Sequence, residues 1–452
     1  MQMLDINTAS LPLSVVRIEV ERLFGKYTYT LAKKDNNPHT DSSLIILYGD
    51  NGSGKTTILK LLFHLLSTGQ KLDHLTFLAK SNFAKFSVFL ADGTSIIASR
   101  KNDNLIGSFQ LELLEQNNII FEMGFQADAE NDVKNIPKKN IRKYDFYQTF
   151  IRMRLSLFFL GDDRVLDSDI FHEQEAKDKQ TSQSLYLSIF DSYREKSKSI
   201  FNRELTLTTS IHRTEEWIRN QALKGANQGE ANVHNIYEEI ITRILHTSGD
   251  LIEEELSQST EMLISELKAH EDRSKDFSRF GLMPPLETQK IVNILKSNTK
   301  TDSSIISRVL KPYLDSVAAR FDALQDTQNL LTIFETTINK LFFRDKYIRL
   351  HVRDGLKIFT EEGKELSPEM LSSGEKQLLL LFCNTLTARD KATIFIIDEP
   401  EISLNVKWQR QLIHALLELT KGSQVQFILA THSIELLSQY NHNVVKLVKM
   451  EK

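Results

Sequence analysis

Four short segments carry residues whose types and spacing could do chemistry. The first is Gly49-Asp50-Asn51-Gly52-Ser53-Gly54-Lys55-Thr56, a full match to G-x-x-x-x-G-K-[ST]. Glycines at those intervals let the backbone bend tightly enough to aim successive N–H groups at an anion. A helix beginning at the loop's end adds its positive N-terminus. Lys55 supplies a point charge for β- and γ-phosphates, and the Thr56 hydroxyl can ligate Mg²⁺. Gly49, Asp50, Asn51, Gly52, Ser53, Gly54, Lys55, Thr56 and the adjoining Thr57 are therefore the expected nucleotide-binding set, with ATP and Mg²⁺ as the expected cofactors.

The second segment, Ile394-Phe395-Ile396-Ile397-Asp398-Glu399-Pro400, delivers two carboxylates at the end of an apolar run. Ligands of open α/β sheets bind beyond that edge. Asp398 is expected to hold the metal, directly or through water, and Glu399 to polarise the attacking water, because binding a metal does not by itself require a second adjacent carboxylate. Alone, Asp-Glu-Pro could equally close a strand in a solvated turn; the phosphate loop upstream favours the catalytic reading. The third apolar run ends in Ala430-Thr431-His432-Ser433, where a neutral His432 can donate to a γ-phosphate. A further segment, Leu371-Ser372-Ser373-Gly374-Glu375-Lys376-Gln377, opens a helix with Ser372 as N-cap and Glu375 completing a capping box. A helix start with small residues before it can also receive an anion.

These segments need elements to position them. Leu44–Tyr48, Thr393–Ile397 and Gln426–Ala430 are continuous apolar runs, as strands buried on both faces should be. Residues 57–66, 375–388 and 406–419 read as helices, and Leu157–Leu160 as another short strand. Residues 15–35 alternate as a hairpin, and 83–123 as an antiparallel meander turning at Asp92-Gly93. A helix is expected over 145–155. The middle, 170–342, is polar and helical. Leu310, Val317, Leu324, Leu331 and Ile338 recur every seven residues with Leu314 and Phe321 interleaved, while Pro312, Gln328 and Glu335 spoil a strict heptad. A packed bundle helix is expected there rather than a long free coiled coil. From 346 the period returns to two, with a turn at Asp354-Gly355. The organisation expected is thus α/β, with an N-terminal lobe at 1–165, a helical insertion at 170–342 and a C-terminal lobe at 345–452.

Composition narrows the class. Of 452 residues, 41% are hydrophobic and 26% charged, ordinary for a soluble globular protein, and no apolar run is long enough for a membrane span. The single cysteine, Cys383, sits in an apolar run; it fits a reducing cytoplasm and excludes a Cys-based zinc site. A net charge of −4 gives no global pull towards nucleic acid.

The set Gly49–Thr56, Leu371–Gln377, Ile394–Glu399, Glu401-Ile402-Ser403-Leu404-Asn405 and His432 resembles the Walker A loop, signature motif, Walker B strand, D-loop and switch histidine of an ATP-binding cassette (ABC) head of the SMC/Rad50-like kind. The resemblance implies that Ser372, Ser373, Gly374 and Glu375 of one head close on ATP held by another, hence a homodimer or higher homo-oligomer. Ser373 stands where the family often has glycine, and Asn405-Val406 where close relatives have His-Pro. The Q-loop equivalent falls at Gly161-Asp162-Asp163-Arg164. Lys55 and Ser372 are 317 residues apart (372 − 55), longer than in transporter cassettes and far shorter than in SMC or Rad50 chains. The compact insertion and the motif wording resemble stand-alone bacterial ATPases of the AAA15/AAA21, overcoming-lysogenization-defect-like group, which includes AriA of PARIS-type and PtuA of Septu-type anti-phage systems.

That group implies a defence ATPase that senses a phage protein trigger and controls a separately encoded effector such as a nuclease; only 20 residues follow His432, too few for a fused nuclease domain. A repair ATPase resembling RecF or SMC proteins is the alternative. It is favoured by the basic, aromatic run Lys138–Tyr147, which could meet DNA but also reads as a solvated loop. The long insertion argues against the energising subunit of a transporter.

Overall fold

The computed structural model describes residues 13–32, 43–67, 72–101, 103–134, 155–162, 166–169, 207–226, 253–297, 300–341, 345–401 and 406–448. Along the chain the elements are β1 (Val15–Leu23), β2 (Tyr27–Ala32), β3 (Leu44–Tyr48), α1 (Lys55–Leu66), α2 (Leu72–Lys80), β4 (Lys85–Leu90), β5 (Thr94–Ser99), β6 (Phe109–Glu115), β7 (Asn118–Phe125), β8 (Ser156–Leu160) and β9 (Leu166–Asp169). There follow α3 (207–226), α4 (Glu253–Arg279), α5 (Gln289–Ser297), α6 (Lys300–Leu341), β10 (Lys346–His351), β11 (Gly355–Thr360), β12 (Glu365–Leu366), α7 (Ser373–Thr387), β13 (Thr393–Asp398), α8 (Val406–Thr420), β14 (Val425–Ala430), α9 (Ile434–Gln439) and β15 (Val444–Lys446). They form two compact units: Met1–Thr206 with Ala388–Lys452, and Leu207–Thr387.

The first unit holds two six-stranded sheets. The apolar runs become the central strands of one, in the order β15-β3-β14-β13-β8-β9, parallel except for β9. Every residue of β13 and β14 is buried, which is why their sequences do not alternate. The other sheet is the expected antiparallel meander, β2-β1-β4-β5-β6-β7. Its Asp92-Gly93 turn closes with Thr94 N–H donating to Asp92 Oδ1 at 2.9 Å. At the β6–β7 hairpin Gln116 and Asn117 both take positive φ, as a two-residue turn matching strand twist requires.

α1 is apolar nearly all round, and Ile58, Leu59, Leu61, Leu62, Leu65 and Leu66 join one core with residues of both sheets. The buried Gln426 amide ties β14 to β1. It accepts from Val15 N–H at 2.8 Å and donates to Val15 O at 2.9 Å, so neither polar group is left unpaired. α2 and β9 were not foreseen from the sequence. The helix expected over 145–155 and the basic run 138–147 lie outside the described residues, Leu155 apart.

In the second unit α6 is one 42-residue helix that runs through Pro312 and packs on α4. Leu310, Leu314, Phe321, Leu324, Leu331 and Ile338 are buried, as the seven-residue pattern requires, and Val317 is half-buried. The Asn339 side chain receives Ile348 N–H at 2.7 Å and donates to Ile348 O at 3.0 Å, fastening α6 to β10. α3 packs on α7, where Asn384 Nδ2 donates to Ser210 Oγ at 2.9 Å. Cys383 is fully buried in that contact, its thiol pushed up to about 12 by burial, a small inert hydrophobe.

Candidate nucleotide-binding site

The loop Gly49–Gly54 joins β3 to α1, so a buried strand leads in and a helix N-terminus leads out. Gly52 and Gly54 have φ of +76° and +94°, the left-handed region that glycine enters freely. Gly54 has a second reason to lack a side chain, since a Cβ there would lie 2.6 Å from Leu23 Cδ2. A Cβ on Gly52 would meet nothing within 4 Å, so that stretch of backbone is open to an incoming group. The antiparallel sheet braces the loop from behind, with Tyr29 Oη donating to Ser53 O at 3.1 Å.

Lys55 is 6% exposed, and its ammonium donates to Gly49 O at 2.8 Å and to Asp50 O at 3.1 Å. Burial lowers its pKa, against the pull of Glu399, Asp398, Asp50 and Glu401. The loop thus points a cation and a helix N-terminus at a place where four carboxylates already make positive charge welcome.

β13 ends in Asp398, 2% exposed, and neither of its carboxylate oxygens has a hydrogen-bond partner. Burial raises its pKa; the nearby carboxylates of Glu399 and Asp162 add to this, while Thr56 and Lys60 oppose it. Thr56 lies near enough to favour the charged form but falls short of a hydrogen bond. A buried, unpartnered carboxylate costs several kcal/mol by rough reckoning and is kept where something else neutralises it. Hard oxygen donors, Asp398 and the Thr56 hydroxyl, are what Mg²⁺ takes, so the residues fit that ion. Ser53 Oγ is a second buried polar atom without a partner, beside the same loop.

Glu399 has φ of +48°, a strained value for a residue with a side chain, held by its N–H donating to Ala430 O at 2.8 Å. Its Oε1 lies 4.0 Å from His432 Nε2 beyond the end of β14. What fixes His432 is a residue whose part the sequence did not reveal. Glu401 Oε1 accepts from Thr431 Oγ1 at 2.6 Å, His432 N–H at 2.8 Å and Ser433 N–H at 3.2 Å. Ser433 Oγ in turn donates to Gln409 Oε1 at 3.0 Å. One carboxylate thereby locks the turn that carries the histidine. The only sequence signal was a third acid two residues after Glu399, which is not enough to show which turn it would reach. Tyr29 was missed for the same reason, being separated from Ser53 by a strand and a loop.

Gly49–Thr57, Asp398, Glu399 and His432 thus come together in the first unit. Ser372–Glu375 belong to the second unit. There the capping box forms, with Ser372 N–H donating to Glu375 Oε2 at 2.8 Å and Glu375 N–H to Ser372 Oγ at 3.4 Å. Lys346 Nζ adds a bond to Glu375 Oε1 at 3.1 Å. Ser372 and Ser373 stay exposed at the head of α7. Of the Q-loop candidate, Gly161 and Asp162 follow β8 directly and Asp162 is close enough to act on Asp398; Asp163, Arg164 and Ile402–Asn405 lie outside the described residues.

A family model described as "AAA domain, putative AbiEii toxin, Type IV TA system" matches residues 44–438. The methionine import ATP-binding protein MetN of Protochlamydia amoebophila (strain UWE25) is 32% identical over 91 residues, 20% of this chain and 26% of that protein. The chain therefore spans about a quarter of that curated relative's length. Among solved structures, a Pyrococcus furiosus Smc head with an extended coiled coil, bound to the C-terminal domain of ScpA, aligns at 12% identity and a TM-score of 0.37, covering 97% of this chain and 96% of that one. A second Smc head, bound to the C-winged helix domain of ScpA, aligns at 11% and 0.35, covering 97% and 94%. With the family model spanning the phosphate loop, the acidic strand end and His432, the chain belongs to that AAA-domain family.

Proposed function

We propose that the chain hydrolyses ATP with Mg²⁺ at a site completed by a second copy, and uses that cycle as the sensor ATPase of an anti-phage defence system. The observation that carries the hydrolytic part is the buried Asp398 carboxylate, unpartnered beside Thr56, with Glu399 and His432 facing each other at 4.0 Å. Thr56 and Asp398 would hold Mg²⁺, which when bound neutralises charge on the phosphates. The remaining work falls to this chain's groups. The N–H groups of the loop and Lys55 bind the β- and γ-phosphates. Glu399 accepts a hydrogen bond from the attacking water, and neutral His432 donates to the γ-phosphate, its turn held by Glu401. Ser372, Ser373, Gly374 and Glu375 of a partner head close the site over the nucleotide in a head-to-tail dimer, following the cassette resemblance.

The head would comprise residues 1–165 and 345–452 and the insertion 170–342, in a cytoplasmic protein. Among the described residues no helix is long and apolar enough to cross a membrane. The effector, a separately encoded protein such as a nuclease, and the phage protein trigger follow from the group resemblance alone.

Affinity purification of Glu399→Gln in ATP tests both parts. A stoichiometric protein that leaves when wild type hydrolyses ATP supports the defence reading. Nuclease-sensitive DNA without a protein partner moves the chain to SMC-like DNA repair. Wild-type turnover by Glu399→Gln would remove the assignment of the base.

A further inference from the structure

The hairpin β10–β11 carries a second concentration of chemistry, wholly within the second unit. Its register sets Tyr347 opposite Phe359, Arg349 opposite Lys357 and His351 opposite Gly355, so these pairs share one face of the ladder. Two cations directly across an antiparallel pair repel and weaken the sheet unless something between them is negative. The carboxylate in the hairpin's turn, Asp354, lies against His351 rather than between them.

The face forms the floor of a cavity of about 580 Å³, walled by Arg279 at the end of α4 and Glu335 of α6. That volume lies within the range that takes small ligands. The carboxylates around it are already engaged. Glu335 pairs with Arg279 and accepts Leu350 N–H at 3.4 Å. Asp354 lies 3.0 Å from His351. Lys357 reaches Glu365 at 3.1 Å, but both ends of that pair are open to water, where such contacts are weak and easily exchanged.

Arg349 has no carboxylate partner among the described residues. Its guanidinium instead lies 5.1 Å from the Tyr347 ring and 5.5 Å from that of Phe359, rings that stack on each other at 5.4 Å. Held against aromatic faces, the planar fork gives up less entropy when it meets an oxyanion. His351 is fixed as well, its ring seated over Gly281, where a Cβ would lie 2.5 Å from Nε2. The cavity is thus preformed, with cations converging from β10, β11 and α4 and an aromatic wall at Phe359.

We infer that this cavity, separate from the ATP site, binds a phosphate-bearing ligand of the nucleotide type, with the phosphate between Arg349 and Lys357 and the flat base along Phe359. The charge count favours phosphate over a carboxylate. A guanidinium fork alone saturates one carboxylate, whereas a phosphate offers three oxygens and up to two charges to a guanidinium and an ammonium together. A free nucleotide and a nucleic-acid strand share this chemistry.

The test uses the full chain carrying Lys55→Ala, which removes the phosphate-loop lysine from the readout, with and without Arg349→Ala plus Lys357→Ala. The probes are ADP, followed by calorimetry, and a fluorescein-labelled twelve-nucleotide oligothymidylate, followed by anisotropy across a salt series. The expected result is binding of at least one probe, weakened about tenfold or more by the double substitution. If the oligonucleotide is the probe, the salt slope falls by about two, one for each phosphate-contacting cation lost. Binding of ADP alone assigns a free nucleotide, and binding of the strand assigns nucleic acid.

Lys364→Ala, at an exposed lysine outside the cavity, controls for charge alone and should change neither affinity. Arg349→Ala plus Lys357→Ala in the otherwise wild-type chain should leave ATPase turnover unchanged and melt cooperatively. Equal affinity of parent and double variant for both probes overturns the inference, as does failure of both probes to bind the parent. Undiminished ADP binding after Lys55→Ala that also ignores the double substitution would count against the phosphate-loop reading as well, so the two failures remain distinguishable.

Discussion

The phosphate loop with its acidic strand end, and the start of α7, are both places where a helix or strand terminus meets small polar residues, yet they are finished differently. At the first, Asp398 and Ser53 are buried with unpartnered oxygens and Glu399 sits at φ of +48°. At the second the capping groups are matched: Ser372 and Glu375 cap each other and Lys346 neutralises the acid, with Gln377 Oε1 one turn further in left unpartnered. Unsatisfied burial and strain persist in a native fold where a ligand or a reaction repays them. A closed, neutralised cap marks a stable helix start, and it leaves Ser372 and Ser373 exposed to meet something else.

Substitutions can break that comparison, beginning with the largest effect. Lys55→Ala should abolish nucleotide binding, while Glu399→Gln should bind ATP and lose hydrolysis by about a hundredfold or more, read as turnover and nucleotide affinity side by side. Next comes Glu401, which acts through the His432 turn. Glu401→Ala should cut turnover about ten- to a hundredfold with little change in ATP affinity. Glu401→Gln, which keeps an acceptor oxygen, should recover part of it, and equal loss in the two variants would show that the carboxylate does more than position the turn.

The sharpest test compares stabilities. Asp398→Asn removes a buried, unpartnered charge and should stabilise the chain by about 1 kcal/mol while abolishing turnover. Glu375→Ala removes a cap and strands Lys346, so it should destabilise by about 1–2 kcal/mol. Denaturant unfolding of both variants decides it, and the same sign for both would erase the distinction between the two termini.

The smallest effect is a pH dependence in the first unit. His64, whose Nδ1 lies 2.7 Å from that of His74, is held down to about 3, chiefly by burial and then by His74. Its folded pKa is below the unfolded value of about 6.5. The unfolded chain therefore takes up the proton first, and stability falls as pH drops from about 6.5 towards 3. Between pH 7 and 6 the loss should be about 0.7 kcal/mol, and His64→Phe should flatten that part of the stability curve.

Much of the candidate nucleotide site was legible because its parts are contiguous. A loop of fixed glycine spacing, a run of apolar residues closed by two acids, and a histidine just past another apolar run each declare themselves within eight residues. The same locality made the capping box at Ser372–Glu375 readable, since its two partners are three residues apart. α2 and β9 were missed because nine and four residues without strong periodicity carry little signal of their own.

By itself the sequence determined that buried strands deliver a phosphate loop, two carboxylates and a histidine, because strand burial and loop chemistry are written in neighbouring residues. Only the tertiary structure decided the strand order β15-β3-β14-β13-β8-β9 and the Tyr29 brace on Ser53. It alone showed the three hydrogen bonds by which Glu401 holds the His432 turn, and the register that sets Arg349 against Lys357 over a cavity. Each of those joins residues separated by a turn, a strand or whole elements. Their meeting depends on register and packing, which no local spacing records.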